Sequence, residues 1–203
     1  MTTGRIEAFS DGVFAIAITL LVLEIHVPED PENGLGAALL DQWPAYASYV
    51  VSFFVIGIIW VNHHAVFDYL KVADRPLLFL NLLLLMFVGL LPWPTNLMAT
   101  YMQEGGADER IAAVVYSGTM AAMGATFGAL WIYASRHRRL LGDTLSAEEI
   151  RRRTVRFVAG SPLYTLSILV ALVSAPACLA LNALLAVYYA LPAGGAMAHR
   201  RVT

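Results

Sequence analysis

Asp11 sits inside residues 5–25, RIEAFSDGVFAIAITLLVLEI, a stretch long enough to cross a bilayer and otherwise almost wholly apolar. A carboxylate at that depth is costly unless it has a partner or belongs to a pathway. Two further segments offer company. Trp60, His63, His64 and Phe67 follow one another at i, i+3, i+4 and i+7, and Asn81 stands alone in a run of leucines and phenylalanine. Asp11 lies six residues from Arg5, His64 seven from Lys71, and Asn81 six from Arg75. At the helical rise, all three sit at one depth, about 9–11 Å from those charges.

Ser10, Asp11, His63 or His64, and Asn81 can therefore form one polar cluster joining three helices. Three chemistries are open to it. It can be a latch in which every group satisfies another, since unpaired polar groups cost several kcal/mol in hydrocarbon. It can be a proton relay or pH sensor working through the histidines. A metal site is the poorest fit, because adjacent histidines diverge by about 100° on a helix, and none is expected. No nucleophile–base pair occurs at a plausible depth, so neither catalytic residues nor a cofactor are expected, and the chain is read as a non-enzyme.

The elements that carry these residues are membrane helices. The chain has 203 residues, 59% of them hydrophobic and 14% charged, with a mean hydropathy of +0.65. The apolar residues come in blocks with charges pushed between them. Six spans follow, at about 6–27, 45–70, 76–99, 111–135, 155–174 and 177–192, forming a single all-α transmembrane domain over residues 1–203. The first is too long for a signal-peptide core and is read as uncleaved. Pro92 and Pro94 should kink or end the third. Ser174-Ala175-Pro176 should fold the last two into a hairpin.

Basic residues set the direction. With the N-terminus inside, Arg5, Lys71, Arg75, Arg136, Arg138, Arg139, Arg151, Arg152, Arg153, Arg156, Arg200 and Arg201 are cytoplasmic, and only Arg110 is outside. That bias places both termini in the cytoplasm, and the chain is expected to be a multi-pass protein of the plasma membrane. The segment 136–156 is the one sizeable soluble loop. Within it Asp143–Glu149 reads as a helix start, with Ser146 as N-cap and Glu149 as its capping-box partner. Its arginines mark the topology and meet lipid headgroups. A formal net charge of −2 gives no reason to expect a nucleic-acid partner. The lone Cys178 excludes an intramolecular disulfide.

On the first helix, Phe9, Gly12, Ile16, Thr19, Leu20, Leu23 and Val27 fall within about 60° of Ile16. Asp11 points nearly the other way and Glu24 lies on the flank. Lipid would suit that stripe; so would a pore.

Arg5…Phe9-Ser10-Asp11-Gly12-Val13-Phe14-Ala15-Ile16…Thr19-Leu20-Leu21-Val22-Leu23-Glu24-Ile25 resembles the transmembrane protein 175 potassium-channel family. Trp60-Val61-Asn62-His63-His64 is similar to that family's second-helix motif, and Asn81 with Leu91-Pro92 to its third. The resemblance implies a homotetramer whose pore is formed by the first helix of each six-helix subunit. It implies Ile16 at the narrowest layer, Thr19 as a polar layer beside it, and Leu23 further outward, with Leu20 on the same stripe. It implies that Arg5, Ser10, Asp11, Trp60, His64 and Asn81 position this helix, and Phe9 and His63 are counted in the same network. Potassium would be the preferred ion, with other monovalent cations passing more weakly. No Thr-Val-Gly-Tyr-Gly-like loop exists, so selectivity would come from an apolar constriction. Glu24 is a candidate for drawing cations to the outer mouth. The alternative is a proton-coupled secondary transporter using Asp11 and His63 or His64, although no internal repeat is present.

Overall fold

A computed structural model describes residues 3–29, 34–142 and 145–190. Among these the chain is helical: α1 (Thr3–Leu20), which tightens into a 3-10 turn at Leu21–Glu24, α2 (Leu35–Asp41), α3 (Trp43–Phe67), α4 (Arg75–Leu90), α5 (Pro92–Tyr101), α6 (Gly106–Arg136), α7 (Ala147–Ala171) and α8 (Ala175–Ala190). Counting α4 and α5 as one interrupted span, five segments are long and apolar enough to cross a membrane, and α8 is a shorter apolar helix.

The bundle is organised around α6. At 31 residues it is about 46 Å long, more than a hydrocarbon core requires. Tyr116, Met120, Met123, Leu130 and Trp131 are fully buried along it. It packs against α4, α5, α7 and α8, whereas α1 lies at the other side, against α3 and α4.

Proline and leucine chemistry explains the interrupted third span. Pro92 and Pro94 remove two amide donors within one turn, so α4 stops at Leu90 and α5 restarts at Pro92, where a missing N–H is harmless. The break itself is buried, with Leu91 fully covered.

Hydrogen bonds identify the two ends of the bundle. At the first, the start of α1 meets the end of α3, and the α3–α4 connection meets the end of α6. Lys71 N–H donates to the Leu140 carbonyl at 2.9 Å, Gly142 N–H donates to that of Tyr69 at 2.9 Å, and Leu70 and Leu141 form an antiparallel bridge between them. At the other end, Gln103 on the α5–α6 connection reaches the Asp41 carbonyl at 3.5 Å, and Glu109 on α6 accepts from Ala175 N–H at 3.0 Å. Arg5, Lys71, Arg75, Arg136 and Arg139 all belong to the first end, and Arg110 to the second.

The structure revises several boundaries. The capping box of Ser146 and Glu149 is present, and the helix it starts runs to Ala171, so residues 147–156 are helical and continuous with the predicted fifth span. Arg153 can sit there because its guanidinium stacks over the Tyr69 ring, 4.6 Å away. The hairpin at 172–174 forms as expected from the Ser174-Ala175-Pro176 turn. The short helix α2 was not anticipated. The predicted sixth-span end at 192, Asp143, Arg200 and Arg201 lie outside the described residues.

Asp74 ties the first end together. It caps α4 by accepting from Leu77 N–H at 3.2 Å, and accepts from the Tyr133 hydroxyl at 2.9 Å and from Arg139 at 3.0 Å. Burial acts to raise its pKa, but the bonds from Tyr133, Leu77 and Arg139, with the Arg139 charge, outweigh it and hold the carboxyl below its ordinary value. A carboxyl depressed in the folded state contributes stability above its unfolded pKa of about 3.9, and the contribution fades as pH falls through the folded value. Asp74→Asn is therefore expected to lower the melting temperature at neutral pH, with a deficit that shrinks below about pH 4. Melting curves across that range test this; a deficit unchanged by pH would remove the ionised form from the account.

Candidate functional site

The first helix buries a narrow side and exposes a broad one. Ile6, Ser10, Phe14, Ala17 and Leu21 recur at helical spacing and are covered by α3 and α4. Ile16 is 62% exposed and Leu23 67%, and Phe9, Gly12, Thr19 and Leu20 are exposed with them. The stripe centred on Ile16 is thus the face that this subunit leaves uncovered.

What holds the helix at that rotation is a chain of hydrogen bonds on the opposite side. His63 Nε2–H donates to Asn81 Oδ1 at 2.8 Å, Asn81 Nδ2–H donates to Ser10 Oγ at 3.0 Å, and Ser10 Oγ–H donates to the Ile6 carbonyl at 2.8 Å. An amide oxygen only accepts, so His63 must carry a proton on Nε2. All three side chains are essentially inaccessible, at 1%, 2% and 0% exposure. Phe14 meets the imidazole edge-on with ring centroids 5.4 Å apart, and Phe67 stacks on it at 4.3 Å. One helix from each of three segments is joined by this chain: α1, α3 and α4.

Asp11 is not part of that chain, contrary to the single cluster drawn from the sequence. It is exposed, and accepts from Trp60 Nε1–H at 2.8 Å. The four residues assigned to one side of the second span also divide. His63 and Phe67 turn into the bundle, while Trp60 and His64 stack on each other outside it, centroids 6.5 Å apart. The cause is the 100° step between adjacent residues, which cannot bury both histidines of a pair. His64 instead lies 3.5 Å from Glu7 and 4.0 Å from Asp68. Arg5 is exposed in the first turns and Phe9 is 56% exposed.

These placements bear on chemistry. Between His63 and Ser10 stands an amide, which neither takes up nor releases a proton near neutral pH, so the buried chain is suited to holding helices and not to relaying protons. Among the described residues no group of three or more His, Cys, Asp or Glu is arranged to hold a metal ion. Thr19 Oγ1–H is shared with the carbonyls of Ala15 and Ile16, both 2.9 Å away, which leaves its lone pairs to face the exposed side. Along Thr3–Leu20 the carbonyls are engaged in an α-helix.

Glu24 is half-buried at the end of the 3-10 turn and accepts a hydrogen bond from Asn96 Nδ2 on α5. Asn96 was missed in the sequence. Its signal was the one used for Asn81, an isolated amide in an apolar span, but at the span's edge a polar residue needs no explanation.

The model for the endosomal/lysosomal potassium channel TMEM175 matches residues 5–92. A potassium channel of Streptomyces collinus is 54% identical over 188 residues, covering 92% of this chain and 91% of that one. A potassium channel of Chamaesiphon minutus is 42% identical over 192 residues, covering 93% and 94%. The crystal structure of a lysosomal potassium-selective channel TMEM175 homolog from Chamaesiphon minutus superposes with a TM-score of 0.85 at 39% identity, covering 95% of this chain and 98% of that one.

Replacing Asn81 by alanine leaves the His63 N–H without an acceptor and Ser10 without its donor in a dry site. Asn81→Ala is expected to destabilise the protein by about 2 kcal/mol. Thermal unfolding in detergent measures it; a melt equal to the parent's would mean the chain does not hold the bundle.

Proposed function

The chain belongs to the TMEM175 family of potassium channels, and from that premise we propose that it conducts potassium through a pore lined by α1 from each of four identical subunits. It is a multi-pass membrane protein and a potassium channel, of a class that is not enzymatic. The finer reading is a homotetramer in the plasma membrane. Each subunit would be one six-span domain with both termini in the cytoplasm, surrounded by lipid.

A single observation carries the pore assignment. The stripe of Phe9, Gly12, Ile16, Thr19, Leu20 and Leu23 stays uncovered while Ile6, Ser10, Phe14, Ala17 and Leu21 on the same helix are buried. A helix held that firmly on one side, with large apolar groups on the other, is suited to facing its own symmetry mates around an axis. Arg5, Phe9, Asp11, Trp60 and His64, all exposed in one subunit, are then available to position neighbouring helices.

Selection on this reading is by dehydration. Ile16 forms the narrowest ring, where a dry apolar neck blocks ions when tight and passes them when it widens. Potassium releases its water more readily than sodium and is favoured, with weaker discrimination than carbonyl coordination provides. Thr19 lone pairs replace part of the lost hydration one turn along, and Leu23 and Leu20 continue the lining outward. The proton-coupled transporter is the weaker account, since Asp11 and His63 belong to separate pairs.

Purified protein in potassium-loaded liposomes, diluted into an impermeant organic cation with a pH dye and protonophore, is expected to pass potassium faster than sodium and without a proton gradient. Flux that demands proton counter-transport would favour the transporter. Ile16→Asn keeps the neck wet and is expected to raise potassium flux while eroding its preference over sodium. Asp11→Ala, by removing the partner of Trp60, is expected to reduce the tetramer fraction in size-exclusion with light scattering. A stable Asp11→Ala tetramer with altered ion preference would assign Asp11 to permeation instead.

A further inference from the structure

The buried chain grips α1 near its first end. Its other end is less secure: Leu21–Glu24 is a 3-10 turn, whose hydrogen bonds are poorer than those of an α-helix. That turn carries Leu23, the last residue of the exposed stripe that is still helical, since Val27 lies beyond the turn. Packing alone does not restrain Glu24, because its side chain lines two cavities, one of about 410 Å³ shared with Leu20, Leu23, Trp93 and Asn96, and one of about 260 Å³ shared with His26, Asp41 and Gln103.

Asn96 supplies the restraint. Its Nδ2–H donates to Glu24 Oε2, and its Oδ1 accepts from Thr100 Oγ1 at 3.2 Å. The Thr100 hydroxyl therefore sets the amide's orientation and directs the donor at the carboxylate. Asn81 and Asn96 lie on the two halves of one interrupted span, on either side of the break between Leu90 and Pro92. The same span thus holds α1 at two heights, and the break sets the relation between the two holds.

We propose that Asn96 is a positioning residue for conduction, which fixes the outer turn of the pore-lining helix by holding the Glu24 carboxylate. The inference rests on α1 being the pore-lining helix. It makes Glu24 a structural anchor at the mouth before it is a charge that attracts cations.

The test is ion flux through reconstituted full-length protein carrying Asn96→Asp, Glu24→Gln, or both. Asn96→Asp sets two carboxylates against each other and is expected to lower potassium flux or its preference over sodium about tenfold, the factor equivalent to one charge-assisted hydrogen bond. The double variant exchanges donor and acceptor, and is expected to restore both quantities. If Asn96→Asp does not assemble, Asn96→Ala, which releases the carboxylate without repulsion, is expected to show the same loss. A role as a bare charge predicts otherwise. Asn96→Asp would then raise flux at low ionic strength, Glu24→Gln would lower it, and salt would abolish both effects; that pattern overturns the proposal, as does failure of the double variant to recover. Ile16→Asn measured in parallel separates the premises. A response there with an unaffected Asn96→Asp overturns the Asn96 role alone, and silence in both removes the pore helix on which it rests.

Discussion

Inside a bundle of membrane helices a buried polar side chain has no water to fall back on, so each must find its partner in the protein. The bonds from His63 through Asn81 to Ser10 meet that condition, and the rest of the arrangement follows from them. Burying Ser10 buries Phe14, Ala17 and Leu21 with it, because they share its side of the helix. That choice turns Ile16, Thr19 and Leu23 outward. A slip of one residue would rotate α1 by about 100° and press Asp11 or Phe9 into the space made for Ser10.

The surrounding scaffold makes that rotation durable. The long, densely buried α6 supports α4 and α5 from behind, and these in turn support α1. At the first end, Asp74 gathers Leu77, Tyr133 and Arg139, and the Leu70–Leu141 bridge fastens the α3–α4 connection to the segment after α6. A subunit that is rigid behind its first helix can present a dry apolar face in front of it.

Much of this was legible residue by residue. The apolar blocks, the proline break in the third span, the turn at Ser174-Ala175-Pro176 and the Ser146 capping box all depend on neighbours within a few positions, and each appears where expected. Counting put Asp11, His64 and Asn81 at one depth, because the helical rise is constant and the charges mark the membrane edge; the residues that meet Asn81 are their immediate neighbours, Ser10 and His63. Asp11 was misassigned for a physical reason. Depth along a helix can be counted from one end, but azimuth depends on which neighbour packs where, and Ser10 and Asp11 differ by about 100° at nearly equal depth. His63 and His64 posed the same ambiguity.

The sequence by itself determined that this is a helical membrane protein, where its helices break, which end of the bundle is basic, and which residues share a stripe with Ile16. These are properties of composition and of a fixed helical period, and they need no knowledge of packing. Only the tertiary structure decided that Ser10 turns in and Asp11 out, that His63 and not His64 meets Asn81, that residues 147–156 form one continuous helix with the segment after them, and that Glu24 is held by Asn96. Those outcomes depend on the azimuth of one helix against another, which is set by the requirement that buried donors and acceptors from distant segments satisfy each other together.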